Sequence, residues 1–170
     1  MLRLGNFQSA LEEWVEDKSD WRQNVRNQTL GILREGLHDR AITRDIDWGV
    51  PVPLEGYESK RIYVWFEAVI GYLSATRSWA EQQGTPDAWK KWWVEPDGES
   101  YYFQGKDNVS FHTIMLPSIL LGSGKLNMPT DVVANEYLNL GGIDFSKSRG
   151  HAVWLPDFLT RYEPDPLRYY

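Results

Sequence analysis

YYFQGKDNVSFHTIMLPSILLGSGKLNMPTDVVA, residues 101–134, is the stretch from which the fold class follows. Its start, Tyr101–Gln104, is rich in aromatic residues and predicts a β-strand. A turn at 105–108 leads into a helix from about Val109 to Leu121, and Asp131–Ala134 begins a further strand. A strand, a helix and a second strand in this order predict two parallel strands in an α/β sheet with flanking helices.

The residues before this stretch extend the alternation towards the N-terminus. Arg61–Phe66 is a short apolar run that predicts another buried parallel strand, followed by a helix from about Ala68 to Gln83. Residues 46–60 contain two prolines and are typical of an irregular connection. Residues 1–45 carry apolar side chains at helical spacing and predict two amphipathic helices.

Ligands of such sheets bind beyond the carboxyl ends of the strands. The segments in which to seek chemistry are therefore 67–72, 106–112 and 137–150. The last of them includes Gly141–Gly150, which holds two serines, one lysine and one arginine between glycines. Such a loop suits phosphate oxygens, because the cations attract them and the hydroxyls and backbone amides donate to them. A solvated basic loop without a ligand is the alternative.

The composition bounds the class of function. The chain has 170 residues and a net charge of −6, so a free-standing nucleic-acid-binding domain with a basic surface is not expected. It has no cysteine, which excludes disulfides and thiolate metal sites. It also has no apolar run near the ~18 residues needed to span a membrane, so we expect a soluble, cytoplasmic protein. Nine Trp and nine Tyr supply either an aromatic core or a pocket that stacks flat ligands.

Four segments together resemble the methionyl-tRNA synthetases, which are class I aminoacyl-tRNA synthetases. Phe145–Gly150 (FSKSRG) resembles the KMSKS signature in its KFSKSRG form. Ile42–Pro53 resembles the family's ITRDLDWGVPVP segment, Tyr63–Tyr72 its YVWFDAPIGY segment, and Gly105–His112 its GKDNVPFH segment. They occur in the family's order over nearly the whole chain, and their wording is closest to the archaeal and eukaryotic type.

The resemblance implies the domain organisation. Residues 1–60 match the helical end of a connective insertion and a loop. Residues 61–140 match the second half of a Rossmann-like catalytic domain, and 141–170 match the KMSKS-like loop and the start of the following helical region. The fold implied is therefore the C-terminal half of a class I synthetase nucleotide-binding fold.

The resemblance also implies a methionine pocket. The family's matching positions are Trp65, Ala68, Tyr72, Asn108 and His112. A thioether is polarizable and packs well against aromatic rings, and a tyrosine hydroxyl and a histidine offer weak polar contacts to sulfur. The alternative is that Trp65 and Tyr72 are simply core residues under a helix. Val69 stands where proline is commoner in the family, which affects the start of the helix.

The same resemblance implies an ATP site and its chemistry. Asp107 would contact the ribose, although a turn or helix-capping role is its alternative. The backbone near Leu138 would meet adenine, and Lys147 and Arg149 would bind the phosphates. Ser146 and Ser148, with Lys147, are the predicted catalytic residues of the loop. Mg²⁺ would arrive with ATP, no protein-bound metal is expected, and the methionyl group would pass to tRNA(Met).

Two departures qualify this prediction. Asp144 occupies the first position of the KMSKS-like segment, where the family has lysine, so an anion lies beside the predicted polyphosphate site. No segment resembles the HIGH motif, which the family carries in the first half of the nucleotide fold. We therefore expect a partial catalytic domain that is inactive alone, needs the N-terminal half, and associates with itself or with a partner.

Three functions stay open at this point. The chain is either a working part of an enzyme or a non-catalytic remnant that retains a methionine- or adenosine-binding fold. A synthetase for another large apolar amino acid is a third possibility, against which Trp65, Tyr72 and His112 argue.

Overall fold

The computed structural model describes residues 1–169, in two compact units, Met1–Asn135 and Glu136–Tyr170. The first unit is mainly helical and contains one parallel and one antiparallel pair of strands. Its elements are α1 (Gln8–Glu16), α2 (Gln23–Glu35), β1 (Thr43–Arg44), β2 (Arg61–Ile62), α3 (Val64–Glu67), α4 (Gly71–Gln82), α5 (Lys90–Trp93), β3 (Tyr101–Gly105), α6 (Leu116–Ser123) and β4 (Asp131–Asn135).

The parallel pair of strands forms as the sequence predicts. β3 and β4 run parallel, with Tyr101 opposite Asp131 and Gly105 opposite Asn135. The helical segment between them crosses over one face and buries Leu116 and Leu120 completely or nearly so. Because the connection returns the chain in the same direction, both strands end at the same edge. The prediction of an α/β fold with a parallel sheet and flanking helices is confirmed.

The two N-terminal helices pack against each other and against this crossover. Leu11 and Val15 of α1 and Leu33 of α2 are fully or almost fully buried, in a cluster that includes Ile114. Val25 of α2 belongs to the second cluster, under the parallel strands. The apolar stripe of each helix therefore faces the interior, as its spacing predicts.

The predicted strand at 61–66 is wrong in most of its length. Only Arg61–Ile62 is a strand, and it pairs antiparallel with Thr43–Arg44 rather than parallel with β3. The chain then turns into α3, where the backbone N–H of Glu67 donates to the Tyr63 carbonyl. A short apolar run does not by itself distinguish a strand from a buried helical turn, and here the tertiary pairing ends after two residues.

The crossover helix is irregular where it passes the predicted site. A 3₁₀ turn at Lys106–Asn108 opens it, and a π-helical turn at Phe111–Met115 precedes α6. Pro117 lies in the first turn of α6, two residues after the π turn. Proline cannot donate a backbone hydrogen bond, so the helical ladder is interrupted at this place.

The second unit is built from a hairpin and two short helices. Its strands β5 (Asn139–Leu140) and β6 (Ile143–Asp144) pair antiparallel through Gly141 and Gly142. Both glycines have positive φ, 61° and 79°, as a two-residue type I′ turn requires. The helices are α7 (Leu155–Leu159) and α8 (Pro164–Tyr169).

Across residues 1–169, none of the helices is long and apolar enough to cross a membrane.

Candidate functional site

The five residues predicted to bind methionine lie around one cavity in the first unit. The cavity has a volume of about 380 Å³ and opens near the carboxyl end of β3. We call it the aromatic cavity; its lining residues are Trp65, Ala68, Val69, Tyr72, Phe103, Gln104, Gly105, Asn108, Phe111 and His112. The segments that follow β2 and β3 in the chain therefore meet in space, which explains why residues about forty positions apart share this wall.

The exposure of Trp65 and Tyr72 decides whether their rings belong to the core or to the wall of a pocket. Trp65 is 48% exposed and Tyr72 is 45% exposed, so neither is a core residue. Val69 between them is only 4% exposed and packs into the core instead. The short helices at 64–70 therefore turn their aromatic side towards the cavity, while the valine that replaces the family's usual proline anchors them.

His112 occupies the deepest position of the predicted set. It is 6% exposed, and its two ring nitrogens both make hydrogen bonds. Nδ1 lies 3.0 Å from the carbonyl oxygen of Asn108, one helical turn earlier. Nε2 lies 2.8 Å from the hydroxyl of Tyr72. The histidine thus joins the crossover helix to α4 through the wall of the aromatic cavity.

These bonds fix the tautomer of His112. A carbonyl oxygen can only accept, so Nδ1 carries the hydrogen and donates to Asn108. Nε2 of the neutral ring then accepts from the hydroxyl of Tyr72. The pKa of His112 is lowered by its burial, which the bond to Asn108 partly opposes, so the ring is neutral near pH 7. The Tyr72 oxygen is consequently held in one orientation at the cavity wall.

The shift of the His112 pKa predicts an acid-sensitive fold. The folded-state pKa lies below the ordinary value of 6.5, so the unfolded chain binds more protons between the two values. Stability is therefore fully present above pH 6.5, and part of it is lost as the pH falls through the folded pKa. Urea unfolding of wild type and His112→Leu, each at pH 7.5 and pH 5.5, should show a smaller acid loss in the variant.

Exposed His38 supplies the control for this measurement. His38→Leu removes a histidine from the first unit without touching the aromatic cavity, so it should keep the wild-type difference between the two pH values. An equal acid loss in His112→Leu and in wild type would contradict the assignment of this sensitivity to His112.

Aromatic contacts hold the walls of the cavity. Trp65 stacks on Phe111, with ring centroids 5.4 Å apart and planes at 29°. Tyr72 meets the buried Tyr102 edge to face at 5.1 Å, and Tyr102 also lies 5.3 Å from the His112 ring. Offset and edge-to-face arrangements of this kind are the favourable ones for aromatic pairs. The high aromatic content predicted either an aromatic core or a pocket. Both occur at this cavity, because Tyr102 is buried in the core whereas Trp65 and Tyr72 are exposed at the cavity wall.

Five lining residues were absent from the predicted set: Val69, Phe103, Gln104, Gly105 and Phe111. Phe111 lies within the GKDNVSFH segment, next to His112, and Gln104 directly precedes that segment, so proximity to it was the available signal. Gln104 was assigned only to a strand, although it immediately precedes the turn at which the strand ends.

Asp107 does not line this cavity, although its neighbour Asn108 does. Asp107 is exposed in the 3₁₀ turn that begins the crossover helix, and it makes no side-chain capping bond there. One of its carboxylate oxygens lies 2.9 Å from the position that a Cβ on Gly105 would occupy. A side chain at position 105 would therefore require this carboxylate to shift.

The predicted phosphate-binding residues belong to the second unit. Ser146 and His151 exchange backbone hydrogen bonds of 2.8 and 3.0 Å, which close a turn over the four residues between them. Lys147 and Arg149 in this turn are exposed, and neither pairs with a carboxylate of the described chain. The hydroxyls of Ser146 and Ser148 lie 3.3 Å apart. The two cations therefore project from a structured turn, which we call the 146–151 loop.

A second cavity, also of about 380 Å³, lies beside this loop. Tyr137, Leu138, Asp144 and Phe145 line it. Leu138, predicted to meet adenine, is thus placed among two aromatic rings. The Asn139 amide, turned so that its nitrogen faces Asp144, donates to that carboxylate at 2.6 Å across the hairpin. Asp144 therefore has a structural partner within the second unit.

Comparison with known proteins gives consistent matches over the whole chain. The sequence profile described as "tRNA synthetases class I (M)" matches residues 1–170. The methionine–tRNA ligase of Dehalococcoides mccartyi is 60% identical over 168 residues, which are 99% of this chain and 30% of that protein. The corresponding enzyme of Thermoplasma volcanium is 53% identical over 169 residues, 99% of this chain and 31% of its own length.

A solved structure agrees with these sequence matches. Mycobacterium tuberculosis methionyl-tRNA synthetase bound by methionyl-adenylate has a TM-score of 0.78 and 26% identity to this chain. The match covers 98% of this chain and 31% of the mycobacterial one. The chain therefore spans about 30% of the length of the curated relatives it matches.

Proposed function

The chain belongs to the methionine-type class I tRNA synthetases, and on that premise we propose that it supplies the methionine pocket of such an enzyme. The observation that carries the proposal is the hydrogen-bonded Tyr72–His112 pair in the wall of the aromatic cavity. The rings supply apolar contact area, and the pair supplies polar atoms for one face of a thioether. Trp65, Ala68 and Asn108 complete the proposed binding set.

We assign the ATP contacts to the residues that the family resemblance indicates. Asp107 supports the ribose assignment because its exposed carboxylate can accept hydrogen bonds from ribose hydroxyls. Leu138 supports the adenine assignment through its cavity, which has aromatic walls. Lys147 and Arg149, with Ser146 and Ser148, are assigned to the phosphates. Mg²⁺ enters with ATP in this proposal; among residues 1–169 no three His, Asp or Glu side chains are grouped as metal ligands.

The proposed reaction needs no nucleophilic side chain. The methionine carboxylate attacks the α-phosphorus of ATP, and pyrophosphate leaves. The methionyl group of the resulting adenylate then passes to tRNA(Met), and AMP is released. The protein contributes by positioning the two substrates and by stabilising charge that develops on the phosphates. Lys147 is the proposed source of that stabilisation, because its ammonium is exposed at the tip of a structured turn. The setting we propose is cytoplasmic protein synthesis.

The proposed organisation follows the family. Residues 1–60 form the end of a connective insertion, 61–140 the second half of the Rossmann-like catalytic domain, and 141–170 the loop and the start of the next helical region. β3 pairs with β4 on one side, and Phe103 on β3 is 78% exposed. An exposed strand edge with such a residue favours pairing with another strand. We assign this edge to the N-terminal half of the catalytic domain or to a second copy of the chain.

A chimeric enzyme tests the proposed function. Residues 1–170 would replace the matching 30% of the Dehalococcoides mccartyi methionine–tRNA ligase, with which the chain is 60% identical over 168 residues. We expect methionine-dependent ATP–pyrophosphate exchange and charging of tRNA(Met) by the chimera. The 170-residue chain assayed alone should give no exchange, since it corresponds to less than a third of such an enzyme.

The outcomes separate the two remaining classes of function. A folded chimera that binds methionine but gives no exchange would support a remnant that keeps only the pocket. A folded chimera that binds neither methionine nor ATP would contradict the proposal altogether. Exchange driven by leucine or isoleucine instead of methionine would support a different amino-acid specificity, although the polar Tyr72–His112 pair has no partner in those side chains.

A further inference from the structure

Two threonines form a buried polar contact next to the aromatic cavity. Thr29 of α2 and Thr113 of the π-helical turn are both completely buried, and Thr113 directly follows His112 in the chain. The two hydroxyl oxygens lie 3.0 Å apart. Neither residue lines the cavity. Valine has nearly the shape of threonine and no polar atom to desolvate, so two positions that served packing alone would favour valine.

The hydrogen bonds of this pair connect two separate helices. Thr113 has one hydroxyl hydrogen, which it donates to the Val109 carbonyl oxygen one helical turn earlier, at 3.0 Å. Towards Thr29 it therefore accepts. The Thr29 hydroxyl lies within reach of two acceptors, Thr113 Oγ1 and, at 2.8 Å, the Val25 carbonyl oxygen, and its hydrogen is shared between them. The contact thus joins α2 to the π turn by a directional bond in the core.

This bond belongs to a row of polar contacts between α2 and the backbone near the cavity. The side-chain amide of Asn24 donates to the Ala134 carbonyl near the end of β4, at 3.2 Å. The amide of Gln28 donates at 3.3 Å to the carbonyl of Lys106, the residue that follows β3. Thr29, the next residue, reaches the π turn. Residues four apart share one side of a helix, so a single side of α2 holds the ends of both parallel strands and the crossover helix.

The π turn is the part of the crossover helix that determines where His112 points. The turn is closed by a bond from the Leu116 N–H to the Phe111 carbonyl, five residues earlier. In an ordinary α-helix this spacing is four, and a shift by one residue rotates a side chain by about 100° around the axis. Such a rotation would take the His112 ring away from the Tyr72 hydroxyl, to which it is now bonded at 2.8 Å. A directional bond on the turn opposes this rotation, whereas apolar contacts are not directional.

We propose that Thr29 and Thr113 are positioning residues, which hold the π turn in its register and thereby keep His112 bonded to Tyr72. Neither threonine touches the amino acid. Their effect on methionine recognition passes through the Tyr72–His112 pair, and for that effect the inference rests on the proposed function. Their effect on the His112 ring itself is measurable without any ligand.

Thr29→Val tests the inference on the ring, because it keeps the shape of the side chain and removes the donor from a helix that does not contain His112. Long-range proton–nitrogen NMR spectra of the 170-residue chain at pH 7.5 report which ring nitrogen carries the hydrogen. Wild type should show the Nδ1–H tautomer of His112, and the variant a mixture of both tautomers. Thr29→Ser returns the hydroxyl and should return the wild-type spectrum. Ser118→Ala is the matched control and should leave the spectrum unchanged: its completely buried hydroxyl bonds the Ile114 carbonyl, within the crossover helix.

The double variant Thr29→Val/Thr113→Val separates positioning from stability. Two apolar side chains of matching shape replace a bonded pair, so the thermal unfolding midpoint should equal or exceed that of wild type. The His112 ring should nevertheless show mixed tautomers. Calorimetry of the chimeric enzyme should give a roughly fivefold lower preference for methionine over norleucine, in this variant and in Thr29→Val, as expected for the loss of one hydrogen bond.

The outcomes distinguish failure of the inference from failure of the proposed function. A wild-type spectrum in Thr29→Val or in the double variant would overturn the inference, and so would the same spectral change in Ser118→Ala. The proposed function would then stand. Mixed tautomers together with an unchanged preference for methionine would support the positioning of His112 and contradict its part in recognising sulfur. A parent chimera that does not bind methionine would overturn the proposed function, while the spectra would still decide the inference.

Discussion

Lys147→Ala is expected to lower methionine-dependent ATP–pyrophosphate exchange in the chimeric enzyme by roughly 10²–10³-fold, the range found when one preorganised charge-stabilising group is removed. The reason is that Lys147 is an exposed cation at the tip of the 146–151 loop, and it is not engaged by a carboxylate of residues 1–169. Its charge is therefore available to the phosphates. Initial exchange rates over a range of ATP concentrations would measure the effect on kcat and on the KM for ATP.

A second lysine provides the control for this substitution. Lys125 is also exposed, but it lies in the turn after α6 in the first unit. Lys125→Ala changes the net charge by the same amount and should leave the exchange rate within about twofold of the parent, as surface substitutions usually do. Similar losses in both variants would show that the effect of Lys147→Ala is only one of overall charge.

His112→Leu is expected to lower the affinity for methionine by roughly 10–100-fold, because it removes one partner from each of two hydrogen bonds. The Asn108 carbonyl loses its donor and the Tyr72 hydroxyl loses its acceptor. The hydroxyl is then free to rotate, and the cavity wall loses its fixed polar atom. Calorimetry with methionine and with norleucine, which replaces the sulfur with a methylene group, would separate the polar contribution from the apolar one.

The comparison of the two ligands is what makes this prediction specific. Discrimination between methionine and norleucine should fall in His112→Leu and in Tyr72→Phe, while norleucine binding changes less. Exposed His38→Leu should keep the wild-type discrimination, since His38 is not part of the aromatic cavity. Unchanged discrimination in His112→Leu, with folding verified by circular dichroism, would contradict a role for this pair in recognising sulfur.

The sequence predicts the central βαβ unit because each local signal there agrees with the tertiary structure. Tyr101–Gln104 and Asp131–Ala134 lie within observed strands, and the helix between them carries its apolar residues into the core. Arg61–Phe66 has equally strong strand propensity, but only Arg61–Ile62 forms a strand and residues 64–66 lie in α3. The difference is that its pairing partner, Thr43–Arg44, extends over two residues only, and this length is set by distant parts of the chain.

The candidate site, too, was predictable from the sequence only in part. The resemblance to a family identifies residues that the structure brings together in one cavity, such as Trp65 and His112. It does not identify the Tyr72–His112 hydrogen bond, because this depends on the spacing between α4 and the crossover helix. The departure at Asp144 also has a different meaning in three dimensions. Its bond to Asn139 across the hairpin gives the carboxylate a structural role that no motif conveys.

The closed turn of the 146–151 loop bears on the temperature dependence of ligand binding. Its backbone is ordered by local bonds, between Ser146 and His151 and from the Gly150 N–H to the Lys147 carbonyl. These bonds span few residues, so the conformational entropy of the loop backbone is lost when the hairpin folds rather than when phosphate arrives. Only the rotamers of the Lys147 and Arg149 side chains remain to be ordered by the ligand. The loop is thus preorganised, and phosphate binding to it should carry a small entropic penalty.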